Sequence, residues 1–271
     1  MTSGLANRTR DALFLAYHSI SPRGPDYLTV PPETFERQLA TLRSSGYRSG
    51  DRAALRTLAS GGAPGGRHAF LTFDDGYEDN YTTALPLLRE YGFTAWVFVL
   101  PPVVESQAAL DWPEVADAAA AYPEVMRSVS WTMIEEMAAA GLEIGSHGLR
   151  HSHLPRLGDE ELTEELWQSR VQIKGRLGRC DSFAYPFGEW DARLEAAAAR
   201  AGYSFAFTSP SAGQRRAGPL TVPRVPVDAR DRSWRFRAKL TSPGRIVFLS
   251  RVRPMVRKLR ASARLGAGPR R

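Results

Sequence analysis

Four times along this chain a short strand-like run stops at a polar or turn-forming corner and gives way to residues spaced for a helix. Residues 13–17 run into His18, residues 69–73 into Asp74, Asp75 and Gly76, residues 142–146 into His147, and residues 182–185 into Pro186, Phe187 and Gly188. Such runs are too short for helices, whereas the segments between them carry helical periods. Helices are expected over 32–45, 51–60, 80–91, 130–141, 159–177 and 191–201, several of them closed by glycine. Thr132 and Glu135 are spaced for a capping box in the fourth. Strand alternating with helix argues for an α/β fold with a parallel sheet, closed or nearly closed as a barrel. Residues 101–129 have no clean period and read as an insertion.

The 271 residues suffice for one barrel or two smaller domains, and one domain with a tail is expected. The single Cys180 excludes an internal disulfide and any multi-cysteine metal site. The first residues lack the unbroken apolar segment of a signal peptide, and no run of about 18 apolar residues suggests a membrane span. The expected setting is therefore cytoplasmic, with peripheral attachment at the inner membrane face left open by the tail. Residues 232–271 hold 13 Lys and Arg and no Asp or Glu, leaving 23 basic against 29 acidic residues before them, a net of −6. The overall charge of +7 thus sits in the tail, and no specific nucleic-acid partner is expected of the body. Within the tail, Val252, Val256, Leu259 and Ala263 oppose Arg253, Arg257, Arg260 and Arg264 as in a basic amphipathic helix. Such a helix either packs on the body or lies on an anionic membrane surface. The expected division is 1–231 for the barrel and 232–271 for a helical tail.

Three corners carry chemistry. Asp74 and Asp75 would point to opposite faces of a strand, but Gly76 permits a turn that swings both toward one cavity. His147 and His151, four residues apart, can present two imidazole nitrogens to one ion, with His153 a weaker third. Two His and one Asp suit zinc or another borderline divalent ion and leave positions open for water and substrate. The other carboxylate is then free to act as a base. Calcium is disfavoured, because residues 74–79 lack the alternating ligands of its usual loop. Pro186 and Gly188 shape a turn that can offer a backbone N–H and the Phe187 ring. Tyr77 and Trp190 are further rings that could meet a sugar, or plain packing.

Taken in order, Thr72-Phe73-Asp74-Asp75-Gly76, Ser146-His147 with His151, and Tyr185-Pro186-Phe187-Gly188 resemble the motifs of the polysaccharide deacetylase family, carbohydrate esterase family 4. The resemblance spans about residues 13–227. It implies a NodB-homology fold, a distorted (β/α)7-type barrel, and a metal-dependent hydrolase that removes acetyl groups from N-acetylhexosamine units. By position Asp74 would be the base, Asp75, His147 and His151 the metal ligands, and the Phe187 N–H the oxyanion donor. Most members carry an Arg two residues before the motif proline, hydrogen-bonded to the base; here Ala184 occupies that place, and Arg224 is the candidate substitute. No His follows His153 to serve as the usual acid. However, Tyr17-His18-Ser19-Ile20 resembles the signature of the circularly permuted branch that includes poly-N-acetylglucosamine deacetylases, which implies His18 as the acid. Ala184 also motivates an alternative, a metal-binding but inactive carbohydrate-binding protein. The basic tail motivates another, a deacylase of small or lipid-linked N-acyl sugars, and the same machinery could hydrolyse an O-acetyl ester.

Overall fold

The computed structural model describes residues 12–209 and 218–241. Its main sheet contains β1 (Ala12–Tyr17), β2 (Arg67–Phe73), β3 (Ala95–Val99), β4 (Glu143–Ser146), β5 (Ser182–Ala184), β6 (Phe205–Thr208), β7 (Val222–Pro223) and β8 (Val225–Pro226). All of these pair in parallel, in the order β7-β6-β5-β4-β3-β2-β1-β8. The two ends of that order are one segment of chain, because only Arg224 separates β7 from β8. The Arg224 amide donates to the Thr208 carbonyl on one side at 2.9 Å, and the Val227 amide to Ala16 on the other at 2.8 Å. This segment brings seven staves into a nearly closed barrel, the α/β architecture expected. Its strand character is hidden in the sequence by Pro223 and Pro226, which lack the N–H that a ladder uses.

Side chains alternate across the staves as a period of two requires. Phe14, Phe70, Trp96, Phe98 and Phe207 fill the interior, with Phe14 and Phe70 stacked at 4.5 Å, while Leu13, Leu15, Leu71, Val97 and Val99 pack outward on the helices. A fully buried side chain of this kind contributes about 1.5–3 kcal/mol. Helix Arg52–Ala59, capped by Asp51 accepting from the Ala54 amide at 2.7 Å, adds Leu55 and Leu58 to the interior cluster. The interior between the staves is therefore packed.

The other expected helices form with shifts of one or two residues, and two differences matter. Asn80–Ala84 is a π-helical turn before helix Leu85–Tyr91. At Trp131–Ala139 the cap is Ser130, whose hydroxyl accepts from the Met133 amide at 3.2 Å, and not the Thr132–Glu135 pair. The 101–129 insertion contains short helices Pro101–Ser106 and Ala116–Ala121. It is tied to the Asp74–Gly76 corner by amides of Val129 and Glu78 donating to Gly76 and Arg127 carbonyls.

Beyond β8, helix Ser233–Lys239 places Phe236 and the following Leu240 in the core, and buried Lys239 bonds both Asp231 and the Pro226 carbonyl. The packed body thus reaches Leu240, past the boundary expected after residue 231. The amphipathic pattern expected at 252–264 lies outside the described residues. Among the described residues no helix is long and apolar enough to cross a membrane.

Candidate active site and metal centre

The interior register of β2 carries the first carboxylate into place. Phe70, Thr72 and Asp74 share one face, so Asp74 points into the barrel mouth, where it is 5 % exposed. There Arg224 clasps it with both terminal nitrogens at 2.7 Å, and also donates to Thr72 Oγ1 at 2.9 Å. Phe98 and Phe207 flank the guanidinium, which is 2 % exposed. A bidentate pair of this geometry is the strong form of charge-assisted bond. Burial pushes the Asp74 carboxyl up, but the charge and hydrogen bonds of Arg224, with His147 and His18 behind them, hold it below the usual range. Asp74 is therefore ionised wherever the protein is folded near neutrality.

The second carboxylate reaches the same mouth by backbone geometry. Asp75 has φ +73° and Gly76 φ +75°, and two successive left-handed residues reverse the direction a strand would give Asp75. At Gly76 a Cβ would also stand 3.0 Å from Val99 and 3.3 Å from Val129, a tight fit that adds to the cost of any other residue at this φ. Asp75 Oδ1 then lies 3.2 Å from His147 Nε2 and 3.3 Å from His151 Nε2. Neither contact has hydrogen-bond geometry, and Oδ1 is a buried oxygen without a partner. Three buried ligand atoms crowded without a well-aimed proton between them are what a cation would relieve. Ligands about 2.0–2.1 Å from a tetrahedral ion stand roughly 3.3 Å apart. His147 Nδ1 meets the Ala184 carbonyl at 2.8 Å, which fixes the tautomer that leaves Nε2 free. The set Asp75, His147 and His151 fits a divalent ion. Burial depresses the His151 imidazole against the pull of Asp75, favouring the neutral form a metal needs.

Other expected residues separate. His18 follows β1, at the same strand ends as Asp74 and His147. Its Nδ1 is buried without a partner, while its carbonyl accepts from Asn80 Nδ2 at 2.7 Å. Beside it Asp79 accepts from Ser19 Oγ at 2.6 Å and from the Ile20 amide at 2.9 Å. Burial pushes the Asp79 carboxyl up to about 6. His153 does not join the ligand set, because Glu189 and Glu114 hold its two ring nitrogens at 2.8 and 3.0 Å. Its ring stacks on Phe187 at 4.0 Å. Phe187, at φ +57°, also meets His151 edge-on at 4.5 Å, so its ring is a wall of the site. Tyr77 cannot offer its ring to a sugar: it is fully buried among Leu28, Leu110, Val115 and Met126. Trp112, from the insertion, is a wall that the sequence reading passed over; it stacks on His151 at 4.1 Å. Its aperiodic surroundings gave no signal of that placement.

A model of the family described as polysaccharide deacetylase matches residues 61–206, more than half of the chain. The chain belongs to the polysaccharide deacetylase family. Over 216 residues it is 28 % identical to YxkH of Bacillus subtilis (strain 168), named for polysaccharide deacetylases, covering 79 % of this chain and 70 % of that protein. Over 141 residues it is 29 % identical to the poly-beta-1,6-N-acetyl-D-glucosamine N-deacetylase of Escherichia coli (strain K12), covering 49 % of this chain but only 20 % of that relative. Among solved structures, IcaB from Ammonifex degensii superposes with a TM-score of 0.66 at 26 % identity, over 82 % of this chain and 93 % of that one. The Streptococcus pyogenes deacetylase PplD, solved with acetate, gives 0.68 at 23 % identity over 80 % and 93 %, a likeness of fold. In this family member Asp74 is partnered by Arg224 from the last stave rather than by residue 184.

Proposed function

We propose that this polysaccharide deacetylase is a zinc-dependent N-deacetylase of N-acetylhexosamine units in a polysaccharide, oligosaccharide or glycoconjugate. The observation that carries the reading is the clasped, ionised Asp74 beside the Asp75–His147–His151 triangle, two carboxylates one residue apart with different partners. A zinc ion held by the triangle would polarise the acyl carbonyl and lower the pKa of water from about 16 toward 7. Asp74 takes the proton of the attacking water as that water adds to the acyl carbon. The Phe187 N–H, in the turn after Pro186, is assigned the stabilisation of the developing negative charge. As the C–N bond breaks, His18 gives a proton to the departing nitrogen, leaving acetate and a free sugar amine. Arg224 keeps Asp74 ionised and aimed until it takes the proton, which is then released to solvent as the products leave. Its presence removes the motive for the inactive alternative, which rested on Ala184 alone.

The test is acetate release from poly-N-acetylglucosamine fragments, chitooligosaccharides and lipid-linked N-acetylhexosamines. Chelation should abolish turnover and added zinc restore it; turnover indifferent to a chelator would overturn the mechanism. The substrate that responds decides among polymer, oligomer and lipid-linked sugar.

Attachment to an anionic membrane surface is the second part of the proposal. Trp234 is 75 % exposed on helix Ser233–Lys239, with exposed Arg232 and Arg237 beside it, and residues 242–271 add nine Lys and Arg and no acid. An exposed indole among cations suits a lipid interface. The full chain should sediment with vesicles containing phosphatidylglycerol and not with neutral ones. A chain ending at residue 241, which retains Phe236, Lys239 and Leu240, should lose this and keep its turnover on soluble substrate. Unchanged sedimentation would refute the attachment.

A further inference from the structure

The loop carrying the two His ligands, residues 147–151, is built around a carboxylate that lies outside every motif. Glu165, on helix Asp159–Leu177, has no exposed surface. Its Oε2 accepts from the Leu149 amide at 2.6 Å and the Arg150 amide at 3.3 Å. Its Oε1 faces Arg150 Nε at 2.9 Å and Ser152 Oγ at 3.4 Å. One helical turn on, Ser169 extends the same seam: its hydroxyl donates to the Glu165 carbonyl at 2.6 Å and meets Ser146 Oγ at 2.7 Å, which in turn accepts from the Gly148 amide at 3.1 Å. The backbone between the ligands is thus held from below at nearly every residue.

That support matters because the two ligands are steadied unequally. His147 is oriented through its own ring, by the bond from Nδ1 to the Ala184 carbonyl. His151 has no such bond: its Nδ1 is buried without a partner, and Trp112 and Phe187 touch only its faces and edge. Ligating imidazoles are ordinarily fixed by a hydrogen bond at the second nitrogen. Here what aims the His151 Nε2 is the backbone, held at φ +52° at His151 and φ +90° at Gly148. A buried carboxylate surrounded by donors is a rigid hub, since each group must stay paired.

We infer that Glu165 is a positioning residue for His151: it sets the loop so that the second imidazole meets the ion, and it governs how tightly the ion is held. The inference rests on the metal centre proposed above. Loss of a group that holds a ligand in place typically costs 10–100-fold in metal affinity. Glu165→Gln keeps an acceptor for one amide but turns a donor toward Arg150, and should weaken zinc binding about tenfold; Glu165→Ala should approach the upper figure. Gly148→Ala attacks the same hub from the other side, because a Cβ there would sit 2.8 Å from Glu165 Oε2 at a φ unsuited to alanine. It stands in if a Glu165 variant does not fold.

The experiment is zinc affinity by competition with a chromophoric chelator on full-length wild type and variants, with the melting of the metal-free proteins and the visible spectrum of the cobalt-loaded forms. The expected result is a weakened zinc constant together with a changed cobalt spectrum, which a loss of general stability would not produce. Folded variants with wild-type zinc affinity and an unchanged cobalt spectrum would overturn the inference and leave the metal centre standing. Wild-type protein that bound no zinc would remove the centre itself and the inference with it.

Discussion

An Asp74→Asn variant should keep its zinc and lose about 10²- to 10⁴-fold in kcat, the range that a positioned general base contributes. Asparagine matches aspartate in shape, but its amide cannot take a proton from water near neutral pH. Asp74 makes no contact with the ligand triangle comparable to that of Asp75, whose Oδ1 is within 3.3 Å of both Nε2 atoms. Zinc stoichiometry by metal analysis and initial rates of acetate release measure the two properties separately. Asp75→Asn should do the reverse, losing zinc first and rate in consequence. A variant at position 74 that kept more than a tenth of the wild-type rate, or that lost its zinc, would contradict the division of labour between the two carboxylates.

Arg224→Ala should be the most destabilising single change at the site, by about 3–5 kcal/mol near neutral pH, because it leaves the buried Asp74 charge without its partner. The dependence on pH has a definite sign. In the wild type the folded-state pKa of Asp74 is depressed, so the pair contributes stability above the ordinary carboxylate pKa and loses it as pH falls through the folded value. In the variant burial is no longer opposed by Arg224, and the pKa rises. The deficit relative to wild type should therefore shrink as pH falls toward 4, because Asp74 can then be protonated. The acid limb of kcat/KM should move to higher pH for the same reason. Denaturant titrations of both proteins between pH 4 and 8 measure the first effect. Adding Asp74→Asn to Arg224→Ala should restore part of the lost stability at neutral pH, since no buried charge then remains unpaired. A deficit independent of pH would show that Arg224 acts through packing against Phe98 and Phe207 and not through its charge.

The barrel and the clustering of Asp75 with His147 and His151 were legible because the polar residues of this chain's motifs sit at strand ends, where a short run stops. Asp74, His147 and His18 are each one residue beyond such a run, and strand ends can be read without tertiary knowledge. The stave at 222–226 was not legible as a strand, since two prolines in five residues argue against a ladder. Arg224 stands out in the sequence only as a substitute for a missing arginine. Glu165 was hidden differently: it sits among Glu160, Glu161 and Glu164 on a long polar helix, and only its spacing from Leu162 and Ser169 marks it as the acid that is buried. Trp112 was hidden because an aperiodic insertion has no face to assign. Tyr77 misled in the opposite sense, as an aromatic beside a catalytic corner that faces the core.

The segment 222–226 has a consequence for the order in which activity can arise. It is the last stave to leave the ribosome, and it holds both the barrel's seam and the guanidinium that sets the base. A chain paired through β1–β6 would already contain Asp74, Asp75 and both histidines, yet its base would lack a counter-ion until the seam engaged. Pairing of the proposed base and topological closure are thus one event. On the proposed mechanism, a chain whose final stave is unseated would have a base without its counter-ion even where its ligand triangle had formed, and the pH dependence of its turnover should resemble that of Arg224→Ala.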